Sequence, residues 1–476
     1  MMKFITLLFI STALFACSIG AQDKEGYTID VKVKGLKDSI AYLAYYYGDK
    51  KYAQDTARID GKGQFVFQGK ENLPGGIYMI ILPGQQYFEI VPENPDIKIE
   101  TTLENLISDL KVTGSPETAL FYEYLQFVDK QAGKIQDLTA RKETASEEEK
   151  ARISTQVKEL ENSIIDYKKD VISEYPEAFV TKVFKAMREP EIPEPPKDAE
   201  GKIDSTWEYY YFKAHYFDNF DFTDDGLVRT PVYQPRMEKY VTKIVMQHPD
   251  SIIQALDFIL QNTRNSPEQF KFNLFWFTNY YERSKLMIAE NVFSHLAVNY
   301  WCNEAYDKSW MDTVTIVKIC EKGKMLNPTL IGKKAPELNL EDTLRKRHSM
   351  HRLDAKYTIL FFWDSTCGHC KKQIPKLIEL HDKYKADGVE VYAVNTEWES
   401  HGFKKYLREK EGMREFINVQ DTTNASRFRQ KYDVSSTPVI MVVDEKKEII
   451  AKRVDIEVIG EILENRKKNR SELSRP

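Results

Sequence analysis

Cysteine is scarce in this chain, with five residues in 476, and a small exported fold held by cross-links carries many more. Disulfides therefore do not build the scaffold. Charge of one sign is lacking as well: 68 Lys and Arg stand against 73 Asp and Glu, a net of −5. That balance excludes a polybasic face for nucleic acid or an anionic membrane. Beyond the first residues no apolar run approaches bilayer length, and the stretch from Phe4 to Ala16 is itself too short to span. No internal repeat is evident. The single C-x-x-C has no second ligand pair at matching spacing, so no metal is expected.

Lys3, the apolar Phe4–Ala16 stretch and the small residues of Cys17-Ser-Ile-Gly-Ala21 read as a secretory signal over residues 1–21. Leu14-Phe15-Ala16-Cys17 resembles a bacterial lipobox, which makes Cys17 the candidate lipidation site, and ordinary cleavage after Ala21 competes with it. Either ending leaves four cysteines in the mature protein, expected in the periplasm or cell envelope, with a lipid anchor in the first case.

The length calls for two to four domains. Over residues 26–114 the pattern has period two: Tyr27, Ile29, Val31 and Val33 alternate with polar residues, as do Phe65 and Phe67. Turn signals at Asp60-Gly61-Lys-Gly63, Pro74-Gly75-Gly76, Pro83-Gly84 and Asn94-Pro95 punctuate it. This predicts an N-terminal antiparallel β sandwich or barrel, with the Tyr42–Tyr47 strand as sheet surface and core. Ser115-Pro116 opens a helical region, residues 115–328. Within it Ile153, Val157, Leu160, Ile164, Tyr167 and Val171 form a short heptad seam. Ser146 and Glu149 form a capping box at its start. The seam is expected to pack on the helix around Leu120, Tyr124 and Phe127. Glu189–Pro196 is a Pro-rich extended segment, and the aromatic clusters Trp207–Phe212 and Phe275–Tyr281 are expected to fill an all-α core.

Cys302 and Cys320 lie on consecutive apparent helices with a turn near Asp307–Ser309. Antiparallel pairing about that turn offsets them by roughly 9 Å at about 1.5 Å rise per residue, too far for a disulfide. Buried free thiols are expected, with a second redox pair as the alternative. His348-Ser-Met-His351 sits in a basic hairpin-like stretch and is expected to be exposed.

From residue 329 to 476 β and α segments alternate. The strand Tyr357–Phe362 leads into Trp363-Asp-Ser-Thr-Cys-Gly-His-Cys370, and Thr437-Pro438 precedes the apolar run Val439–Val443. A cysteine at the first turn of a helix gains anion stabilisation from unpaired backbone N–H groups and the helix dipole. Cys367 is therefore the expected nucleophile and Cys370, one turn in, the resolving thiol. His369 between them adds partial positive charge and tunes the thiolate.

These residues resemble a thioredoxin fold, and Ala335-Pro336-Glu337-Leu338 is similar to the start of TlpA/ResA-like and peroxiredoxin-related domains. The resemblance implies a C-terminal α/β thioredoxin domain of a multidomain exported type common in Bacteroidetes. It places Pro438 at the family's cis-proline position, where Thr437 would dock an extended substrate. C-G-H-C is the tetrapeptide of protein disulfide isomerases, near about −180 mV. Relatives carry Glu where this chain has Gln373, so Glu397 or Asp364 is the candidate proton relay. They also often carry Trp where Thr366 stands, which leaves Cys367 less shielded.

The function expected is an extracytoplasmic thiol–disulfide oxidoreductase, reductase or isomerase, acting on protein cysteines and disulfides. Its redox group is the Cys367–Cys370 disulfide with no further cofactor, and it requires a membrane reductant. Its oligomeric state and the direction of electron flow stay open. A second reading is an envelope binding or scaffold protein with an accessory redox domain. A third, an antioxidant peroxidase of peroxiredoxin type, lacks the proline of the P-x-x-x-T-x-x-C pattern before Cys367.

Overall fold

The computed structural model describes residues 26–93 and 95–473; the expected signal over residues 1–21 and its Cys17 lie outside them. The described residues fall into two compact units, one within Met1–Glu194 and Ala214–Arg236, the other within Pro195–Lys213 and Met237–Pro476.

The first unit opens with eight strands, β1 (Tyr27–Lys34), β2 (Ser39–Tyr47), β3 (Lys50–Ile59), β4 (Gln64–Gly69), β5 (Tyr78–Ile81), β6 (Tyr87–Ile90), β7 (Asp96–Thr102) and β8 (Lys111–Thr113). They form two four-stranded sheets, ordered β4-β1-β7-β8 and β3-β2-β5-β6. One core of alternate residues, including Ile29, Val31, Phe67, Ile80 and Ile99, joins them as a sandwich. The sandwich is not wholly antiparallel. β7 runs parallel to β1, from Thr28 opposite Asp96 to Lys34 opposite Thr102. The chain leaves the first sheet after β4 and returns only at β7, so β7 enters beside β1 in the same direction. Period-two alternation reports the buried face and is silent on a partner's direction.

Ser115 caps α1 (Pro116–Glu143), its side chain accepting from Thr118 N, and Ser146 caps α2 (Glu147–Glu174) through Glu149 N. The heptad seam packs as a hairpin: the Tyr167 ring stacks on Phe127 at 4.3 Å and on Tyr124 at 6.4 Å. Glu117 then accepts the backbone N–H groups of Phe179 and Val180, a charged cap for α3 (Phe179–Ala186).

Five further helices follow, α4 (Trp207–His215), α5 (Tyr233–Lys239), α6 (Pro249–Asn262), α7 (Pro267–Arg283) and α8 (Ala289–Leu296), before α9 (Thr313–Leu326). Of the Phe275–Tyr281 cluster in α7, Phe275 is exposed, whereas Phe277 and Tyr281 are buried as expected. The α4 aromatics are not: Tyr209 and Tyr210 are exposed and Trp207 stacks on Tyr211 at 4.9 Å.

Cys302 and Cys320 form a disulfide, with Cα atoms 5.4 Å apart, so the expectation of free thiols fails. The turn lies elsewhere. A π-helical turn spans Ala297–Trp301 and the connection runs to Asp312. Gly323 fits against Ala297, where an added Cβ would meet the alanine Cβ at 2.3 Å. Ser294 Oγ donates to Gly323 O at 2.8 Å. That small-residue register brings Cys302 level with Cys320. With 18 residues of sequence separation, replacing both cysteines by alanine should lower stability to urea by about 2–4 kcal/mol.

The C-terminal strands are β9 (Asn339–Glu341), β10 (Arg347–Ser349), β11 (Tyr357–Trp363), β12 (Val389–Asn395), β13 (Ile417–Gln420), β14 (Val439–Asp444) and β15 (Ile449–Lys452). They make one sheet ordered β10-β9-β13-β12-β11-β14-β15. The helices are α10 (Gly368–Tyr384), α11 (Ser400–Glu409), α12 (Phe428–Lys431) and α13 (Ile456–Leu473). The chain is thus multidomain: a β-rich N-terminal region, a helical middle and a C-terminal thioredoxin fold.

Candidate active site

Sheet register gathers the site at one end of the central strands. β11 and β12 are parallel and finish together, Trp363 opposite Asn395, and antiparallel β14 starts there, Val439 opposite Phe362. The loops carrying Cys367, Glu397 and Thr437 therefore leave the same end of the sheet. Ligand and reaction sites of open α/β sheets lie at such strand ends. The Thr437–Pro438 peptide is cis.

Cys367 is the N-cap of α10. Its Sγ accepts from the Cys370 backbone N–H at 3.2 Å and lies 3.4 Å from the Thr437 carbonyl oxygen. The two thiols differ sharply in burial. Cys367 is half-buried, and Cys370 is wholly enclosed with Trp363, Ile374, Phe403 and Tyr406. Burial alone would raise the Cys367 thiol. Hydrogen bonds from the Cys370 thiol, the Thr437 side chain and the backbone N–H groups of Cys370 and His369 outweigh it and hold the thiol below its ordinary value. Cys370 moves the other way, pushed up to about 12 by burial first and then by its hydrogen bond to Cys367. The two thiols are thus shifted in opposite directions, Cys367 towards its anion and Cys370 away from it.

The His369 imidazole is exposed, and its backbone N–H is among the groups that hold the Cys367 thiol down. Glu397 is tied into the site loop: Ser365 N donates to Oε1 at 2.7 Å and Asn395 Nδ2 at 3.0 Å. Gly402 leaves room for it, because a Cβ there would come within 2.5 Å of Glu397 Oε2. Asp364 uses its carboxylate locally, accepting from Thr366 N at 2.7 Å and Thr366 Oγ1 at 2.6 Å. Gln373 Oε1 is buried with no hydrogen-bond partner among the described residues.

Sequence reasoning missed the frame behind Glu397. Gln420 Nε2 donates to Asn395 Oδ1 at 3.2 Å and to the Glu397 carbonyl at 2.9 Å. The only signal was an amide at the end of each of the two strands. It also missed the open cleft of about 740 Å³ between Trp398, Arg429 and Ser435–Thr437 beside the cysteines. His348 and His351, expected to be exposed, are half-buried, because each finds an acidic partner in its own hairpin. His348 Nε2 lies 2.9 Å from Asp342, and His351 Nδ1 lies 2.9 Å from Glu337.

The direction of the Cys367 shift gives an expected pH profile. A lowered thiol is deprotonated at lower pH, so its alkylation rate should rise and level off below the midpoint of about 8.5 for a free cysteine. Cys370, pushed up to about 12, should stay unmodified across that range. Mass-resolved iodoacetamide labelling of the reduced protein from pH 5 to 10, read per cysteine, measures both.

Residues 331–452 match the AhpC/TSA family. Residues 27–121 and 139–327 match two domains of unknown function, DUF4369 and DUF5106. Among curated relatives, the thiol-disulfide oxidoreductase ResA of Bacillus subtilis is 29% identical over 145 residues, 29% of this chain and 79% of the relative. The thioredoxin-like protein YneN of the same species is 28% identical over 120 residues, 24% of this chain and 66% of the relative. Among solved structures, a domain of a possible thiol-disulfide isomerase from Cytophaga hutchinsonii is 42% identical, covering 30% of this chain and 97% of that one, with a TM-score of 0.29. A thioredoxin-like protein from Bacteroides caccae is 18% identical over 58% of this chain and 97% of that one, with a TM-score of 0.44. Residues 331–452 are thus an AhpC/TSA-family domain of thioredoxin fold, and the chain is a multidomain thioredoxin-like enzyme related to the ResA-type thiol–disulfide oxidoreductases.

Proposed function

We propose that this protein works outside the cytoplasm, in the reductase or isomerase sense, on disulfides of other proteins. The observation that carries the reading is the asymmetric pair: a lowered, half-buried Cys367 beside the Thr437 backbone, with a raised, enclosed Cys370 behind it. The Cys367 thiolate attacks one sulfur of a substrate disulfide. The other sulfur leaves as a thiolate and takes a proton, and a mixed disulfide is left. Cys370 then gives up its proton, with Glu397 or Asp364 as the proposed relay, and attacks Cys367 Sγ. The substrate departs with two electrons and two protons gained, and Cys367–Cys370 is oxidised.

Thr437 and Pro438 are assigned the docking edge, where an extended substrate strand pairs with the backbone. No cofactor beyond the cysteine pair enters the cycle. Return to the dithiol needs a reductant, assigned to a membrane electron-transfer protein. Export by residues 1–21, with Cys17 as the candidate anchor, places the enzyme in the periplasm or cell envelope, where disulfides persist. Among the described residues no helix is long and apolar enough to cross a membrane.

The AhpC/TSA match also raises a peroxidase reading. Against it, the P-x-x-x-T-x-x-C pattern ending at Cys367 would place its proline where Leu360 stands and its threonine where Asp364 stands. Equilibration with a glutathione series tests the proposed sense. A potential near about −180 mV fits isomerase work, one near about −270 mV fits a reductase, and one near about −120 mV contradicts both in favour of an oxidant. Cell fractionation tests the location, and recovery of the unprocessed chain in the cytoplasm would sink the export reading.

A further inference from the structure

Inside the second unit, two neighbouring residues of α8 bond to the redox domain, beside the Met287 packing on its core. Asn291 joins the chain entering the redox domain in both directions: Nδ2 donates to Ile331 O at 2.9 Å, and Oδ1 accepts from Ile331 N at 3.2 Å. Beside it Glu290 divides its carboxylate. Oε2 pairs with Lys452 Nζ, and Oε1 lies 3.4 Å from Arg453 Nε. The Lys452 side chain is only 2% exposed, so its charge depends on that partner.

Arg453 continues the contact to the loop that carries Thr437 and Pro438. Its Nη2 donates to the Asp433 carbonyl at 3.0 Å and to Asp433 Oδ2 at 2.5 Å. Its own backbone N–H donates to Ile440 O at 2.7 Å. One residue therefore staples both limbs of the loop, before Thr437 and after Pro438. Asp433 and Arg453 both sit in left-handed backbone, at φ 50° and 53°. Non-glycine residues hold that conformation when their surroundings over-determine it.

We propose that Glu290 is a positioning residue for disulfide exchange: through Arg453 it fixes the Asp433–Ile440 loop, and so the Thr437 backbone, beside Cys367. This rests on the reading of that loop as the substrate-docking edge. A protein disulfide has to pair with the loop and present its sulfur in line with Cys367, so loose placement costs rate. A small aromatic disulfide needs no docking strand. The helical middle, matched only as a domain of unknown function, thereby acquires a role in substrate exchange.

The test compares Glu290→Gln and Asp433→Asn in the full chain. Asp433→Asn keeps the Glu290–Lys452 pair, so it reports on the loop even if the first variant is poorly folded. Each variant should lower kcat/KM for insulin roughly tenfold while changing reduction of 5,5′-dithiobis(2-nitrobenzoate) by no more than about twofold. Each should also speed amide exchange of residues 434–440 by about tenfold, and the double variant should be no worse than the singles. Unchanged protection of 434–440, or equal losses on both substrates, overturns the proposal. A wild type active on the small disulfide but inactive on insulin sinks the docking reading and this proposal with it. A wild type active on both, with variants at wild-type rates, sinks the proposal alone.

Discussion

Cys367→Ser should reduce insulin at the uncatalysed rate, a loss of at least about a thousandfold, because removing a nucleophile leaves only binding to act. The serine hydroxyl is not ionised near neutral pH, so the hydrogen bonds that favour the Cys367 anion have nothing to stabilise. Cys370→Ser should fare differently. It keeps the attacking thiolate and loses resolution, so single turnover begins and stalls. The Cys302–Cys320 disulfide is the control: its removal should affect stability and leave insulin reduction intact, since it lies in the helical middle, outside residues 331–452. A retained rate in Cys367→Ser, or a loss on removing Cys302 and Cys320, would move the chemistry away from α10. Turbidity from the reduced insulin B chain, followed at fixed reductant, reads both outcomes.

The second large effect is on stability. Trp363 ends β11 just before the site and is fully buried, stacked with Phe361 at 6.4 Å and packed on Tyr406 at 5.3 Å. It lies in the same core as Cys370, Phe403 and Ile374. Trp363→Ala should cost about 3–5 kcal/mol, the transfer term plus a cavity that this sheet end cannot close. Trp363→Phe should cost far less. The indole Nε1 is buried without a hydrogen-bond partner among the described residues, so phenylalanine removes an unpaired donor along with some contact area. Such a donor costs about 1–3 kcal/mol, and the two changes should nearly cancel. Urea unfolding of both variants separates packing from polarity, and a large loss in Trp363→Phe would mean that Nε1 is paired after all.

The redox centre was legible because its parts are local: an apolar strand, a cysteine at a helix start and a second cysteine one turn on. Thr437, seventy residues away in sequence, was legible only through the family resemblance, since nothing local says that a Thr-Pro faces a thiol. The Asn395–Gln420 frame and the Arg453 staple were not legible. They depend on which strands are neighbours and on a left-handed turn, both fixed by tertiary packing. The same limit explains β7, whose direction follows from the chain's path between sheets. Cys302 and Cys320 failed for a related reason. A helical offset counted from an assumed turn ignored the Gly323–Ala297 contact that sets the true register. The His369 backbone N–H, which also favours the Cys367 anion, was not foreseen beside the imidazole.

The most direct test of the central claim is substrate trapping with Cys370→Ser in cells that express the full chain. Exchange through this site predicts mixed disulfides to other proteins that resolve on reduction, each carrying the linkage at Cys367 when mapped by mass spectrometry. Absence of trapped partners, or partners linked through Cys302 or Cys320, would contradict it.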